Sequence, residues 1–234
     1  MQVACRCSVG EVVEYYATNV VNARMHNMIA PTFMPLAVPG FTPPGYTRHG
    51  LASPAGITPP PPGWMEAQEL DMVRQLNAYA NANPQARDWT EYLAKNGDVE
   101  VWREFARQYR HQVGLVRGWM GTGLMAASMA VTALVTTRAK RHYRRLRPYQ
   151  IDGSIQPIGK AYTDASYPSG HSSASSAAAT VLGNLWPARA YEFRWWANQV
   201  AMSRMAAGMH FPSDVRVGAE LGARIGATAA SILY

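Results

Sequence analysis

Residues 138–148 read RAKRHYRRLRP, residues 165–173 read ASYPSGHSS, and residues 203–215 read SRMAAGMHFPSDV. These three stretches organise the reading of the rest of the chain. The first places six Lys or Arg among the ten residues from Arg138 to Arg147, with no acid. On a helix, Lys140, Arg144 and Arg147 lie four and then three residues apart, which predicts one triply cationic face with Arg141 and Arg145 pointing elsewhere. Pro148 stops that helix. Arg offers forked donors to an oxyanion and Lys a point charge. Taken alone, the run also fits a solvated basic face or a nucleic-acid patch.

The second stretch is a loop running into a helix. Ser169 is a fitting N-cap, and the alanine- and serine-rich residues from Ser172 to Leu185 predict the helix behind it. Gly170 allows a ligand close to the backbone. First-turn amides and the helix dipole favour an anion there. His171 falls in that first turn, where a structural role is the plainer alternative to a proton donor. In the third stretch His210 and Asp214 are four residues apart. They share one helical turn, or they straddle a helix start at Pro212. Either way an Asp beside one imidazole nitrogen fixes the tautomer and frees the other as a nucleophile. An ordinary surface contact is the alternative.

Outside these stretches the chain sets bounds. Its 234 residues are 48% apolar, enough for one buried core. The formal charge of +7 and the pI of about 9.6 suit acidic partners. Cys5 and Cys7 form no disulfide framework and too few ligands for a structural zinc site. No secretory h-region stands in residues 1–20, so the expectation is a cytoplasmic protein or one whose leader has been trimmed. Ten of the sixteen prolines lie between Pro31 and Pro62, which predicts an irregular strap over the surface or a docking site for a proline-binding module. Residues 66–82, 86–94 and 99–112 read as helices, and no alternating strand pattern of any length appears. The twenty uncharged residues Gly118–Thr137 are long enough to span a bilayer. Their threonines and glycines, and a mean hydropathy of −0.19 for the chain, favour a core helix in a soluble protein. Trp186, Trp195 and Trp196 read as core aromatics rather than a substrate groove.

Together the three stretches specify eleven residues at fixed spacings within seventy-five positions. In this they resemble the superfamily uniting type 2 phosphatidic acid phosphatases, bacterial class A nonspecific acid phosphatases and vanadium-dependent haloperoxidases. The class A enzymes look most similar. The resemblance covers about Arg138 to Ala223. With the absence of strand patterns it gives an all-α fold, a compact helical bundle over residues 65–234; the N-terminal extension 1–64 with its proline-rich strap looks unlike these enzymes. The resemblance implies that His210 is the nucleophile and forms a phosphohistidine, that Asp214 orients it, and that His171 is acid and base in turn. Lys140, Arg147, Ser169, Gly170 and Arg204 would bind the phosphoryl group. No metal and no cofactor are implied, because the cations stand where other phosphatases use metal ions.

The expected substrate is a phosphomonoester or a lipid or isoprenoid (di)phosphate. A haloperoxidase holding vanadate in the same residues is the alternative. A nonenzymatic basic module is a third reading, but it leaves His171, His210 and Asp214 without a reason. The expected partners are therefore a small-molecule or lipid phosphate, without nucleic acid or a stable membrane span, and with a homo-oligomer left open.

Overall fold

The computed structural model describes residues 56–232. Cys5, Cys7, the residues of the N-terminal extension before Gly56 and most of the proline-rich stretch lie outside the described residues. Among the described residues all regular structure is helical, in agreement with the expected fold class. The helices are α1 (Gly63–Ala82), α2 (Pro84–Asn96), α3 (Glu100–Val113), α4 (Leu115–Tyr143), the single turn α5 (Pro148–Ile151), α6 (Gly170–Leu185), α7 (Ala190–Ala206) and α8 (Pro212–Ala230).

Local chemistry sets most of these ends. Asn83 caps α2 by accepting from the amides of Gln85 and Ala86, with Pro84 at the first helical position. Gly114, at φ 83°, turns the chain between α3 and α4. Pro187 lies just past the end of α6.

Three apolar clusters hold the helices together. Trp102 and Phe105 of α3, Leu182 of α6 and Phe193 of α7 form one, and Trp186 and Trp196 pack against it. These tryptophans pack as core aromatics, as expected. Val73, Leu76, Ile155 and Met209 belong to a second, and Ile57, Val135, Tyr167 and Leu221 to a third. Each large side chain removed from water contributes roughly 1.5–3 kcal/mol.

The packing that matters most for the site is α6 on α8. Gly218, Gly222 and Gly226 are spaced four apart on α8. A Cβ at these positions would fall 2.6 Å from the carbonyl of Ser169, 2.0 Å from that of Ser173 and 2.7 Å from that of Ala177. Only glycine permits this approach. The three contacts rise in step along both helices, so α6 and α8 run parallel and their N-termini lie together.

The cationic first stretch departs from the expected geometry. The α4 helix ends at Tyr143, and Arg144 takes a left-handed conformation at φ 50°. The chain then runs extended to Arg147. Lys140, Arg144 and Arg147 therefore do not share a helical face. Arg144 is exposed and donates to the carbonyl of Arg141. Arg145, expected to point elsewhere, is buried. The helix stops too early for the heptad spacing to act.

The uncharged run is the middle of α4. Gly121, Thr122, Met125, Ser128, Thr132, Val135 and Thr136 are buried in the domain. Thr122 and Thr136 return their hydroxyls to the carbonyl one turn back, so the buried face keeps its polar groups satisfied. The opposite face is open. Among the described residues α4 is the helix long and apolar enough to cross a membrane by length and composition.

Candidate active site

His210 precedes the first turn of α8, and Asp214 lies within that turn, so the pair straddles the helix start. Gly208, at φ 72°, makes the bend that delivers His210. The His210 amide donates to the Arg204 carbonyl, which ties this loop to the end of α7. His210 Nδ1 stands 3.4 Å from Asp214 Oδ2. Its Nε2 stands 3.3 Å from Arg147 Nη1. Both His210 and Asp214 are buried. Burial pushes the imidazole pKa well below its usual value, and the nearby Arg147, Lys140 and Arg204 push the same way. The ring is therefore neutral at pH 7, with Nε2 turned toward the cations.

Asp214 is held from several sides. Its Oδ2 accepts from the Phe211 amide at 2.8 Å and its Oδ1 from Arg145 Nη1 at 2.7 Å. Its own carbonyl accepts from the Ser169 amide at 2.9 Å, joining the starts of α6 and α8. Burial raises its pKa, while Arg145 and the Phe211 amide favour the ionised form. Arg145 also reaches Glu69 Oε2 at 3.1 Å and Glu66 Oε2 at 3.0 Å, both on α1. Glu69 in turn accepts from the amide and hydroxyl of Ser213. Sequence reasoning missed this network. The chain offers no signal for it, because Glu69 is 144 residues from Ser213.

At the start of α6, Ser169 caps the helix by accepting from the Ser172 amide at 3.4 Å. Gly170 has no atom within 4 Å of where a Cβ would sit, so the approach to the backbone there is open. His171 lies in the first turn, as expected. Its Nε2 is 3.2 Å from the Ala94 carbonyl and 3.6 Å from Asp98 Oδ2. Burial again depresses its pKa well below the usual value, and Arg204, His210 and Lys140 all act on it in that direction. That shared influence records how closely these side chains gather. Asp98, in the link between α2 and α3, is a second residue that the sequence did not flag.

The three cations are supported unequally. Lys140 donates to Asp164 Oδ2 at 2.7 Å and to the Ala165 carbonyl at 2.5 Å. Arg147 donates to the Asp164 carbonyl and carboxylate and to the Met209 carbonyl. Lys140 and Arg147 outweigh the effect of burial and hold Asp164 below the ordinary carboxylate pKa. Asp164 lies between the first two predicted segments in space, and it was also missed. Arg204 differs from both. It is 1% exposed, and its Nε and Nη1 have no hydrogen-bond partner among the described residues. Burial lowers its pKa to about 10, so it still carries a full charge at pH 7. A buried guanidinium with open donors is suited to an anion.

All eight residues singled out in the sequence thus lie around one buried, positively charged centre at two helix N-termini. Open guanidinium donors, helix-start amides and an imidazole nitrogen are the kinds of group that bind a tetrahedral oxyanion, phosphoryl or vanadate.

The family model of the PAP2 superfamily matches residues 121–234. A non-specific acid phosphatase of Salmonella typhi is 28% identical over 207 residues, covering 82% of this chain and 81% of that protein. A decaprenylphosphoryl-5-phosphoribose phosphatase of Mycobacterium tuberculosis is 32% identical over 125 residues, covering 50% of this chain and 62% of its own length. A bacterial vanadium-dependent iodoperoxidase superposes with a TM-score of 0.60 at 20% identity, over 91% of this chain and 63% of that one. The three motifs, the parallel pairing of α6 with α8 and these matches lead to one assignment: residues 121–234 belong to the PAP2 superfamily.

Proposed function

We propose that this chain hydrolyses phosphomonoesters, or a lipid or isoprenoid (di)phosphate, through a phosphohistidine at His210 and without a metal ion. The coarser part follows from the superfamily assignment and the acid phosphatase relatives, which make the chain a phosphoric ester hydrolase. The observation that carries the finer part is Arg204, buried and charged with two donors unmet.

In the proposed cycle the phosphoryl group sits against Arg204, Arg147, Lys140 and the first-turn amides of α6. Nε2 of His210 attacks phosphorus, and the bond to the leaving oxygen breaks. His171 gives that oxygen its proton. Asp214 stabilises the charge that grows on the His210 ring. Water then attacks phosphorus, His171 takes its proton, the P–N bond breaks and phosphate leaves. A bound phosphate dianion offsets the surrounding cations and lets His171 accept the proton it needs. The cationic groups supply the charge neutralisation in both steps. The lipid or isoprenoid option is kept because the mycobacterial relative is named for a decaprenylphosphoryl substrate.

The test is a rapid base quench during turnover of p-nitrophenyl phosphate, followed by mass spectrometry. Phosphate on His210 is the expected result. Full activity in His210→Ala, or loss of activity with EDTA, would overturn the mechanism. Iodide oxidation with peroxide and vanadate, in the absence of phosphate release, would favour the peroxidase reading.

A further inference from the structure

Asp164 already does at Lys140 and Arg147 what a phosphoryl group would do there. Its Oδ1 accepts from Arg147 Nη2 at 2.6 Å and its Oδ2 from Lys140 Nζ at 2.7 Å. One carboxylate thus bridges two of the cations assigned to the substrate. A carboxylate and a phosphoryl group both offer paired oxygens to such donors, and Arg and Lys bind either.

The donors of Arg147 are taken. Nε donates to the Asp164 carbonyl at 2.9 Å, Nη1 to the Met209 carbonyl at 2.9 Å, and Nη2 to the Asp164 carboxylate. Nη2 also lies 3.4 Å from the Ala165 carbonyl, and Nη1 lies 3.3 Å from His210 Nε2. A guanidinium has no acceptor, so in that last contact Nε2 accepts and its lone pair is engaged. Lys140 likewise donates to Asp164 and to the Ala165 carbonyl. An incoming oxyanion therefore has to replace a partner that Arg147 already has.

The partners differ in how readily they can leave. The carbonyls are fixed by the backbone, and the His210 side chain is 3% exposed. The Asp164 side chain is 54% exposed, and among the described residues its carboxylate is held by Lys140 and Arg147. A permanent brace looks different in this protein: Asp214 is 0% exposed and accepts from the Phe211 amide and from Arg145. Beside Asp164 lies a cavity of about 500 Å³, lined also by Thr163, Arg141 and Arg144. It gives the carboxylate room to turn and other cations to turn toward. Arg204, by contrast, has Nε and Nη1 unmet, so an arriving oxyanion finds open donors there without displacing anything.

We propose, on the phosphatase reading above, that Asp164 is an internal stand-in for the phosphoryl group: it occupies Lys140 and Arg147 between turnovers, the substrate displaces it, and its occupancy sets the affinity of the site for oxyanions. The phosphoryl group lands on Arg204, replaces Asp164 on Lys140 and Arg147, and draws Arg147 Nη1 off His210 Nε2. The lone pair that attacks phosphorus is free only after that exchange. Binding of substrate and release of the nucleophile are then one event.

The experiment is calorimetric titration of the full chain with inorganic phosphate. Asp164→Asn keeps the shape and removes the charge. It should tighten phosphate binding about tenfold, as expected when a competitor that fills the site about nine-tenths of the time is removed. Asp164→Ala should act in the same direction, and serves if the first variant does not fold. Unchanged or weaker binding in a folded variant would overturn the proposal; weaker binding would make Asp164 a brace for the cations. Crystals of the unsubstituted chain grown with phosphate read the exchange directly. The expected result is an Asp164 carboxylate more than about 4 Å from Lys140 Nζ and Arg147 Nη2. A carboxylate still bridging both beside the bound phosphate, or no phosphate bound to any of these chains, would overturn the proposal. Neither readout needs turnover. A chain that gains phosphate affinity in this way but forms no phosphohistidine would contradict the mechanism above and leave the role of Asp164 standing.

Discussion

His210 and His171 stand beside the same cations, yet the protein supports them in different ways. His210 Nδ1 makes no hydrogen bond among the described residues, but it faces Asp214 at 3.4 Å, and Asp214 is 0% exposed and held by the Phe211 amide and by Arg145. Arg145 is braced in turn by Glu66 and Glu69 of α1. His171 rests on the Ala94 carbonyl and on Asp98, whose side chain is 39% exposed. The ring proposed to form a bond to phosphorus is backed by a carboxylate that is itself fixed in the core. The ring proposed to move protons is fixed by a surface link whose carboxylate meets water. A nucleophile needs a constant aim, whereas an acid and base must exchange its proton in every turnover.

The largest expected effect is on the buried side. His210→Ala should lower kcat by about 10⁴ or more, because the residues acting with it have nothing left to assist. A loss below about tenfold would mean that His210 is not the nucleophile. Arg145→Met comes next. It leaves Asp214 and Glu69 without their guanidinium, and breaking a buried pair in this way destabilises by about 3–5 kcal/mol. Chemical denaturation measures that loss. A variant as stable as the parent would show that Arg145 does not hold the nucleophile's support.

On the exposed side, His171→Ala should slow alkyl phosphates by about 10²–10³, and aryl phosphates with good leaving groups much less. Equal losses on both would remove its acid role. Asp98→Asn should have the smallest effect on rate, about tenfold, and it should shift the pH profile of kcat, because Asp98 lies beside the ring that exchanges protons. An unchanged profile would separate Asp98 from His171.

A thermal measurement sharpens the same comparison. Both imidazoles have folded pKa values below the usual 6.5. Below about pH 6.5 the unfolded chain therefore binds more protons than the folded one, and stability falls as pH drops. Asp214, Glu69 and Asp98 have raised values. Their contribution is present at low pH and is lost as pH rises through their folded values. The expected result is a melting temperature that declines from pH 7 toward pH 5, less steeply in His171→Gln and less steeply when inorganic phosphate fills the site. A flat profile would contradict the depressed imidazole values.

Much of the site was legible because its chemistry is written in short segments. Ser169 caps α6, His171 lies in the following turn, and Asp214 reaches back to His210 across Pro212, all over distances that local geometry controls. The helix readings at 66–82, 86–94 and 99–112 lie within three residues of the observed ends, since Asn83-Pro84 and Gly114 punctuate the chain there. The cationic face was misread for an equally physical reason. Helical spacing predicts neighbours only while the helix lasts, and α4 stops at Tyr143. Glu69, Asp98 and Asp164 escaped notice because an isolated acid looks the same on a surface as beside a buried arginine. The glycines of α8 escaped because close approach needs a second helix to define it.

From the sequence alone came the kinds of group, their order and their spacing: cations, a capped helix start, and an imidazole followed one turn later by a carboxylate. Tertiary structure decided how those groups are shared out. It turned Arg145 inward to Asp214, occupied Arg147 and Lys140 with Asp164 and nearby carbonyls, and left Arg204 with open donors. Such choices depend on which partners arrive from distant parts of the chain. A buried donor is satisfied by whatever packs against it, and no local pattern records what that will be.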